Sequence, residues 1–389
     1  MNKKYDIIII WAGAAGLFTA IQAPEYYSKL ILEKNKNPGV KVLLSWWERA
    51  NVSNIDIEPE RDYFGQNKKA LLSMFKKFNN YDIISFFAEN NIKIVEEDRG
   101  RLILESWDSR ELLNLLLKKA TENNTKIQCD SWVIDIMKVW DTFEVLTSNN
   151  ERFFAWKVVV TSWWKSFSQV GTTWDGYAWA ENFWHSVVHP HRWLCWLVSK
   201  KDLSEISGVS TDLKLEVISK ISWKTFYTEY WPLLFTHFWV SGPIIFNAAV
   251  AVWEYINSFW LDTFIESLDF SKIPENEKKD YIDRSFIKEN ISLKLSFENI
   301  DNIPKRVVKF FEITEENNEI FLELQDYRTW KEAKVTGGGI KIDELTNHLE
   351  SKFVPWLYFA WEILDITGKT GGFNLQFSWT SWYVVGKNL

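Results

Sequence analysis

Tyr5 to Gly16, YDIIIIWAGAAG, is the stretch whose residue types and spacing could do chemistry. A short apolar run, Ile7 to Ile10, gives way at once to small residues and then to Leu17-Phe18-Thr19-Ala20-Ile21. That is the pattern of a buried parallel strand turning tightly into a helix. Such a turn offers bare backbone N–H groups at a helix N-terminus, where a pyrophosphate binds. The dinucleotide fingerprint G-x-G-x-x-G falls on Trp11, Gly13 and Gly16. Its first position takes a conformation that a side chain resists, and the phosphates must come close to it. An indole at position 11 fills that space. Glu33 closes the next strand-like run, Lys29 to Leu32, about 20 residues after Gly13, where this fold places a carboxylate for the adenosine ribose hydroxyls. Lys34 beside it belongs to the same candidate contact.

The composition bears on Trp11. The chain carries 24 Trp but only 16 Gly in 389 residues, whereas glycine is ordinarily about 7% of a protein. An aromatic-rich core would place Trp inside periodic apolar segments. Many stand instead where turns call for glycine: Trp46 and Trp47 after KVLLS, Trp163 and Trp164 after KVVVTS, Trp174 in GTTWDG, Trp239 in FTHFWVSGP and Trp361 in YFAWE. UGA is read as Trp in one variant genetic code and as Gly in another, so one difference of translation table turns every UGA-encoded Gly into Trp. If each Trp in a glycine-only conformation costs roughly 1–3 kcal/mol, about ten of them exceed the roughly 5–15 kcal/mol that holds a domain folded. Most of these residues are therefore expected to be glycine in the cell. Trp179 and Trp379, in helix-like stretches with no need for glycine, are expected to be genuine.

The elements that must position these groups can be read in outline. The length suits two or three domains. A net charge of −7 gives no general electrostatic reason to expect nucleic acid. Cys129 and Cys195 form no C-x-x-C pair, which suits a reducing cytosol and argues against a disulfide reductase. No apolar run approaches 18 residues and no room for a signal peptide precedes the first strand, so the expectation is a cytoplasmic protein with no membrane contact, no metal and no stable protein partner.

Pro24 stops the first helix near Gln22 and Ala23. Residues 40 to 54, read with glycine at 46 and 47, form a flexible anion-binding loop with Arg49 and Asn51 as its polar contacts. Ser109 to Glu122 is a well-patterned helix with capping chemistry at its start. Lys157 to Thr161 is a buried strand whose end, Thr161 to Trp163, returns the chain to the cofactor. Asp175 stands at the start of the next helix. From about Pro190 short alternating segments indicate an antiparallel β-region, and the charged stretch from Leu268 to Pro304 indicates helices on a separate lobe. Thr336 to Gly339 re-enters the first domain. In the tail, a strand from Leu357 to Ala360 leads to Glu362 and Asp365, and Thr370-Gly371-Gly372-Phe373-Asn374 opens a last helix. In flavoproteins with a Rossmann-like domain an acid in this place meets the ribityl chain, and the last helix points its N-terminal amides at the flavin.

WAGAAG (11 to 16), SWWERANVSN (45 to 54), TSWWKS (161 to 166), GTTWDGYAWAENFWH (171 to 185), WPLLFTHFWVSGP (231 to 243), KVTGGGI (334 to 340) and FAWEILDITGKTGGFNLQ (359 to 376) together resemble the BaiN/YhiN-like FAD-dependent oxidoreductases over nearly the whole chain. Each stretch becomes a close match when Trp is read as Gly. The resemblance implies an α/β fold. A Rossmann-like FAD-binding domain is built from both chain ends (1–190 and 333–389), with an inserted β-barrel-like domain (191–266 and 305–332) and a small helical domain (267–304). It implies FAD held by positions 11, 13 and 16 with Glu33, by Trp46, Trp47, Arg49 and Asn51 along its length, and by Asp365 with Gly372, Phe373, Asn374 and Leu375 at the ribityl and pyrimidine end. The family loop usually reads G-R-C-N, and this chain has Ala50 in place of the cysteine, so any chemistry of that thiol is absent.

The reaction implied is hydride delivery from reduced flavin to a C=C bond conjugated with a carbonyl, in a small molecule or in the uracil ring of RNA uridine. It needs a donor at the developing enolate oxygen and a proton source. His237 in FTHFWVSGP is the leading candidate, with Thr236 and Ser241 behind it. No second G-x-G-x-x-G occurs, so NAD(P)H as reductant would bind only transiently. The rival readings are an FAD-dependent amine oxidase or dehydrogenase and, if the Trp residues are real, a protein without catalysis.

Overall fold

Four consecutive isoleucines, Ile7 to Ile10, are buried on both faces because their strand, β1 (Lys3–Ile10), has a parallel neighbour on each side. The computed structural model describes residues 3–44, 51–65, 67–161, 175–258, 262–271, 273–274 and 277–389. After β1 come the helix α1 (Ala14–Gln22) and the strand β2 (Lys29–Leu32), paired parallel to β1 with Ile10 opposite Leu32. β3 (Thr125–Gln128) adds to the far side of β2. On the other side β4 (Arg152–Val160) runs parallel to β1, and β5 (Leu357–Phe359) runs parallel to the second half of β4. The registers Ile10 to Val160 and Val160 to Phe359 bring the carboxyl ends of β2, β1, β4 and β5 to one edge. The first half of β4 pairs antiparallel with Thr142–Thr147, which pairs in turn with Val133–Val139.

The last helix, α2 (Phe373–Gly386), is buried around nearly its whole circumference. Gln376, Thr380 and Trp379 are accommodated because each finds a partner. Gln376 accepts from the Ser53 hydroxyl at 2.6 Å and donates to Thr380, and Thr380 donates to the Phe78 carbonyl at 2.9 Å. The Trp379 indole donates to the Val52 carbonyl at 2.8 Å and packs edge-on against Phe18 and Phe87. α1 and α2 meet where Gly386 leaves no room: a Cβ there would stand 2.5 Å from Gln22 Cβ and 2.8 Å from the Thr19 carbonyl oxygen.

These elements belong to a unit formed by Met1–Pro190 and Thr336–Leu389; His191–Val335 forms a second unit. The second unit is a closed six-stranded barrel in the order Leu197–Ser199, Trp239–Ser241, Lys224–Phe235, Ser210–Ser219, Ile291–Ser296, Glu319–Tyr327. Its core takes Leu213, Leu215 and Val217 from one strand and Ile244, Ala248 and Val252 from the helix Pro243–Ser258. One sequence expectation is corrected here. The stretch 267–304 is not helical throughout, because Ile291–Ser296 alternates inward Leu293 and Leu295 with half-buried Lys294 and is a barrel strand. Helices do occupy Asp262–Glu266 and Lys278–Asn290 before it. Among the described residues no helix is long and apolar enough to cross a membrane.

Gly386→Ala tests the helix contact. Alanine ordinarily favours a helix over glycine by about 1 kcal/mol, but overpacking against backbone costs about 1–3 kcal/mol. A lower thermal midpoint is expected; a raised one would mean that α1 and α2 can move apart freely.

Candidate functional site

The carboxyl edge of the parallel strands gathers a first group of the described candidate residues. Trp11 follows β1, donates its N–H to the Leu32 carbonyl at 2.7 Å, and has φ +90°. It is 6% exposed, so its indole lies inside the fold at the turn itself. Gly13 is the N-cap of α1 in extended conformation, with no side chain capping the helix. Gly16 brings the helix against the turn: a Cβ on it would stand 2.0 Å from the Trp11 carbonyl oxygen. Glu33 accepts from the Ala12 N–H through Oε2 and from the Asn35 N–H and amide through Oε1, each at 2.8 Å. Burial pushes its carboxyl up, against the pull of those donors. Thr161 donates to the Ile10 carbonyl at 2.7 Å and so ties the end of β4 to the end of β1. Lys34 lies 4.3 Å from the Trp132 ring, whose N–H donates to Asp175 at 2.8 Å. Asp175 does begin a helix, Asp175–Asn182.

A second group forms around the start of α2. Gly371 and Gly372 have φ +114° and +101°. A Cβ on Gly372 would stand 2.1 Å from the Ser53 carbonyl oxygen and 3.0 Å from Asn51 Oδ1. Asn51 begins a strand, Asn51–Asn54, rather than lying in a flexible loop, and its Oδ1 is shut from solvent without a hydrogen-bond partner among the described residues. Phe373 is buried and its carbonyl accepts from the Tyr63 hydroxyl at 2.7 Å. The Asn374 side chain is engaged with Gly368, accepting from its N–H at 2.7 Å and donating to its carbonyl at 2.8 Å. Leu375 is half-buried on the first turn. Glu362 is buried in the turn after β5, and Asp365, whose N–H donates to the Ile340 carbonyl at 3.0 Å, has its carboxyl pushed up to about 6 by burial, with Lys341 opposing. Burial, with the charges of Glu362 and Asp365, holds the Tyr177 phenol protonated.

Asn54 belongs to this group without any signal in the sequence. Its amide donates to the Gly371 carbonyl at 2.9 Å and to the Arg99 carbonyl at 3.1 Å, fixing the glycine pair that opens α2. Nothing in the NVSN stretch points to partners 317 and 45 residues away.

Trp46, Trp47, Arg49 and Trp163 lie outside the described residues. His237, Thr236 and Ser241 belong to the barrel unit, on the hairpin between Lys224–Phe235 and Trp239–Ser241. Thr236 closes that hairpin by donating to the Trp239 carbonyl, and Ser241 is buried at the strand end. His237 is exposed; its carbonyl accepts from Leu203 N–H at 2.7 Å. His185 is buried between Glu344 (3.1 Å) and Ser351 (2.7 Å), a structural position.

The strand ends, glycine turn and buried acid of the first unit define a Rossmann-type dinucleotide-binding protein. The chain belongs to the HI0933-like protein Rossmann domain family, which matches residues 5–388. This bears out the resemblance to the BaiN/YhiN-like FAD-dependent oxidoreductases. The chain is 27% identical over 419 residues to a ribosomal RNA dihydrouridine synthase of Haemophilus influenzae, covering 100% of this chain and 99% of the relative. It is 24% identical over 412 residues to a 3-dehydro-bile acid delta(4,6)-reductase of Clostridium scindens, covering 100% and 98%. Among solved structures, the open conformation of a flavocytochrome c3 fumarate reductase aligns with 99% of this chain and 78% of its own, at 12% identity and TM-score 0.49.

FAD fits these residues at Gly13, Gly16 and Glu33 and does not fit at position 11. There the backbone has a conformation L side chains rarely adopt, and a buried indole stands where a pyrophosphate requires bare backbone.

Asp365 makes a pH prediction for the apoprotein. The folded state holds this proton up to about pH 6, while the unfolded chain releases it near the usual carboxylate value. The folded protein binds more protons in that window, so stability falls as pH rises through it. Asp365→Asn is expected to gain on the order of 1–2 kcal/mol over the parent at pH 7.5 and little at pH 4. Equal differences in urea melts at the two pH values would contradict the assignment.

Proposed function

We propose that this chain is an FAD-dependent reductase of carbon–carbon double bonds conjugated to a carbonyl, working in the cytoplasm, with NAD(P)H as a transiently bound electron donor. The observation that carries the reading is the single edge at which the Gly13–Gly16 turn, Glu33 and Thr161 meet. The curated relatives support the reaction class. They carry the names ribosomal RNA dihydrouridine synthase and 3-dehydro-bile acid delta(4,6)-reductase. The substrate is a small unsaturated carbonyl compound or a uridine in RNA, and the net charge of −7 favours the small molecule. The reading takes residues 11, 46, 47 and 163 as glycine, as a UGA-for-glycine code supplies.

Bound FAD would supply the hydride. The chain's own part is to hold and to protonate. Glu33 offers its carboxylate to the adenosine ribose. Asn51, whose amide oxygen has no partner among the described residues, and the amides that open α2 would hold the other end of the cofactor. His237, exposed on the barrel hairpin, is the proton donor, and Thr236 and Ser241 shape the hairpin that carries it.

The purified protein with glycine at the four positions is expected to bind FAD. Anaerobic NAD(P)H should bleach the flavin, and an enone or a uridine-containing RNA fragment should restore its colour. Bleaching by an amine and not by NAD(P)H would replace this reading with an amine oxidase. His237→Gln is expected to slow reoxidation by the unsaturated substrate roughly 100-fold while leaving bleaching by NAD(P)H unchanged.

A further inference from the structure

Among the described residues seven tryptophans, Trp11, Trp107, Trp140, Trp184, Trp223, Trp356 and Trp361, have φ between 55° and 90°. The other non-glycine residues with positive φ include Asn91, Asn124, Asp130 and Asn150, the types whose short polar side chains tolerate that region. Aromatic character does not explain the tryptophans. The chain has 27 Phe and 13 Tyr, yet no Phe or Tyr among the described residues has positive φ.

The local hydrogen bonds identify what these positions require. At the end of the helix Asp175–Asn182, the His185 N–H donates to the Ala180 carbonyl and the Trp184 N–H to the Glu181 carbonyl. That pair of bonds is a Schellman ending with Trp184, at φ +67°, in the left-handed place where glycine is usual. Val139 and Thr142 pair across a two-residue hairpin loop with positive φ at its first central residue, Trp140, the glycine position of a type II′ turn. Trp223 takes the left-handed place just before the strand at Lys224, with its N–H on the Ser219 carbonyl at 2.7 Å. Trp140, Trp184 and Trp223 are 92%, 73% and 77% exposed, so no burial of the indole offsets the strain.

Outside the seven positions, Trp196 and Trp239 stack at 6.1 Å between ring centres, and neither N–H, nor those of Trp253 and Trp382, has an acceptor among the described residues although all are shut from solvent; none of the four has positive φ. Trp379 is the contrast: helical, buried, and donating to Val52.

We propose that residues 11, 107, 140, 184, 223, 356 and 361 are glycine in the protein as its own cell translates it, from UGA codons, that Trp379 is a true tryptophan, and that glycine at 11 opens the turn to a pyrophosphate. The assignment is independent of the reaction proposed above.

Peptide mass spectrometry on the protein from its native cells tests it directly. The tryptic peptide Tyr5–Lys29 should be lighter by one indolylmethyl-for-hydrogen exchange, as should Val139–Arg152, whereas the peptide carrying residue 379 should retain tryptophan there. A tryptophan mass at 11 and 140, or UGG codons at the seven positions, overturns the proposal. In a standard-code host, the chain as written is compared with one carrying W11G, W107G, W140G, W184G, W223G, W356G and W361G. The glycine form should melt roughly 10 °C or more higher. Equal melting would overturn the assignment. Glycine masses in the native protein without any flavin binding would keep the assignment and end the FAD reading instead.

Discussion

The first unit depends on one backbone contact, the closeness of residue 16 to the carbonyl of residue 11. A Cβ on Gly16 would lie 2.0 Å from that oxygen, so α1 can start directly off β1 only if nothing projects between them. This contact sets the direction of α1, and with it the edge at which Glu33 and Thr161 are tied back, to Ala12 and Ile10. The same turn forces residue 11 to φ +90°. A conformation that suits glycine is thus a condition of the fold, and the side chain written at position 11 opposes the geometry that every neighbour enforces.

α2 plays the corresponding part for the C-terminal segment. It carries Gln376 and Thr380 through the core because the Ser53 hydroxyl and the Phe78 carbonyl, together with their bond to each other, satisfy them. Its first turn is held from several sides, by Asn54 on Gly371, Tyr63 on Phe373 and Asn374 on Gly368. Gly372 lies so near the Ser53 carbonyl that a side chain there is excluded. The amides that open α2 are therefore placed by packing and are left facing away from the helix body.

Several candidate residues turn out to serve the scaffold first. Thr161 links strands, Asn374 clamps a glycine, Asp175 receives the Trp132 indole and Thr236 closes its hairpin. Polar residues near a ligand edge often hold the backbone that binds, rather than the ligand itself. Asn51 differs: its amide oxygen is enclosed with no partner among the described residues.

The sequence by itself determined the first unit's opening: the apolar run of β1, the stop of α1 before Pro24, β2 ending at Glu33, and the helix from Ser109 to Glu122 agree with the structure because their signals are local. The turn reading of the Trp residues holds at Trp11 and Trp361, which have positive φ, and not at Trp239, which begins the strand Trp239–Ser241. Tertiary structure alone decided that Ile291–Ser296 closes a barrel instead of extending a helical lobe, because its partners, Ser210–Ser219 and Glu319–Tyr327, lie far off in the chain. It alone decided that Asn54 holds Gly371 and that Glu33 spends part of its carboxylate on Ala12 and Asn35. Local conformation follows from neighbours in the chain; the partner that satisfies a buried polar group follows from what folding brings beside it.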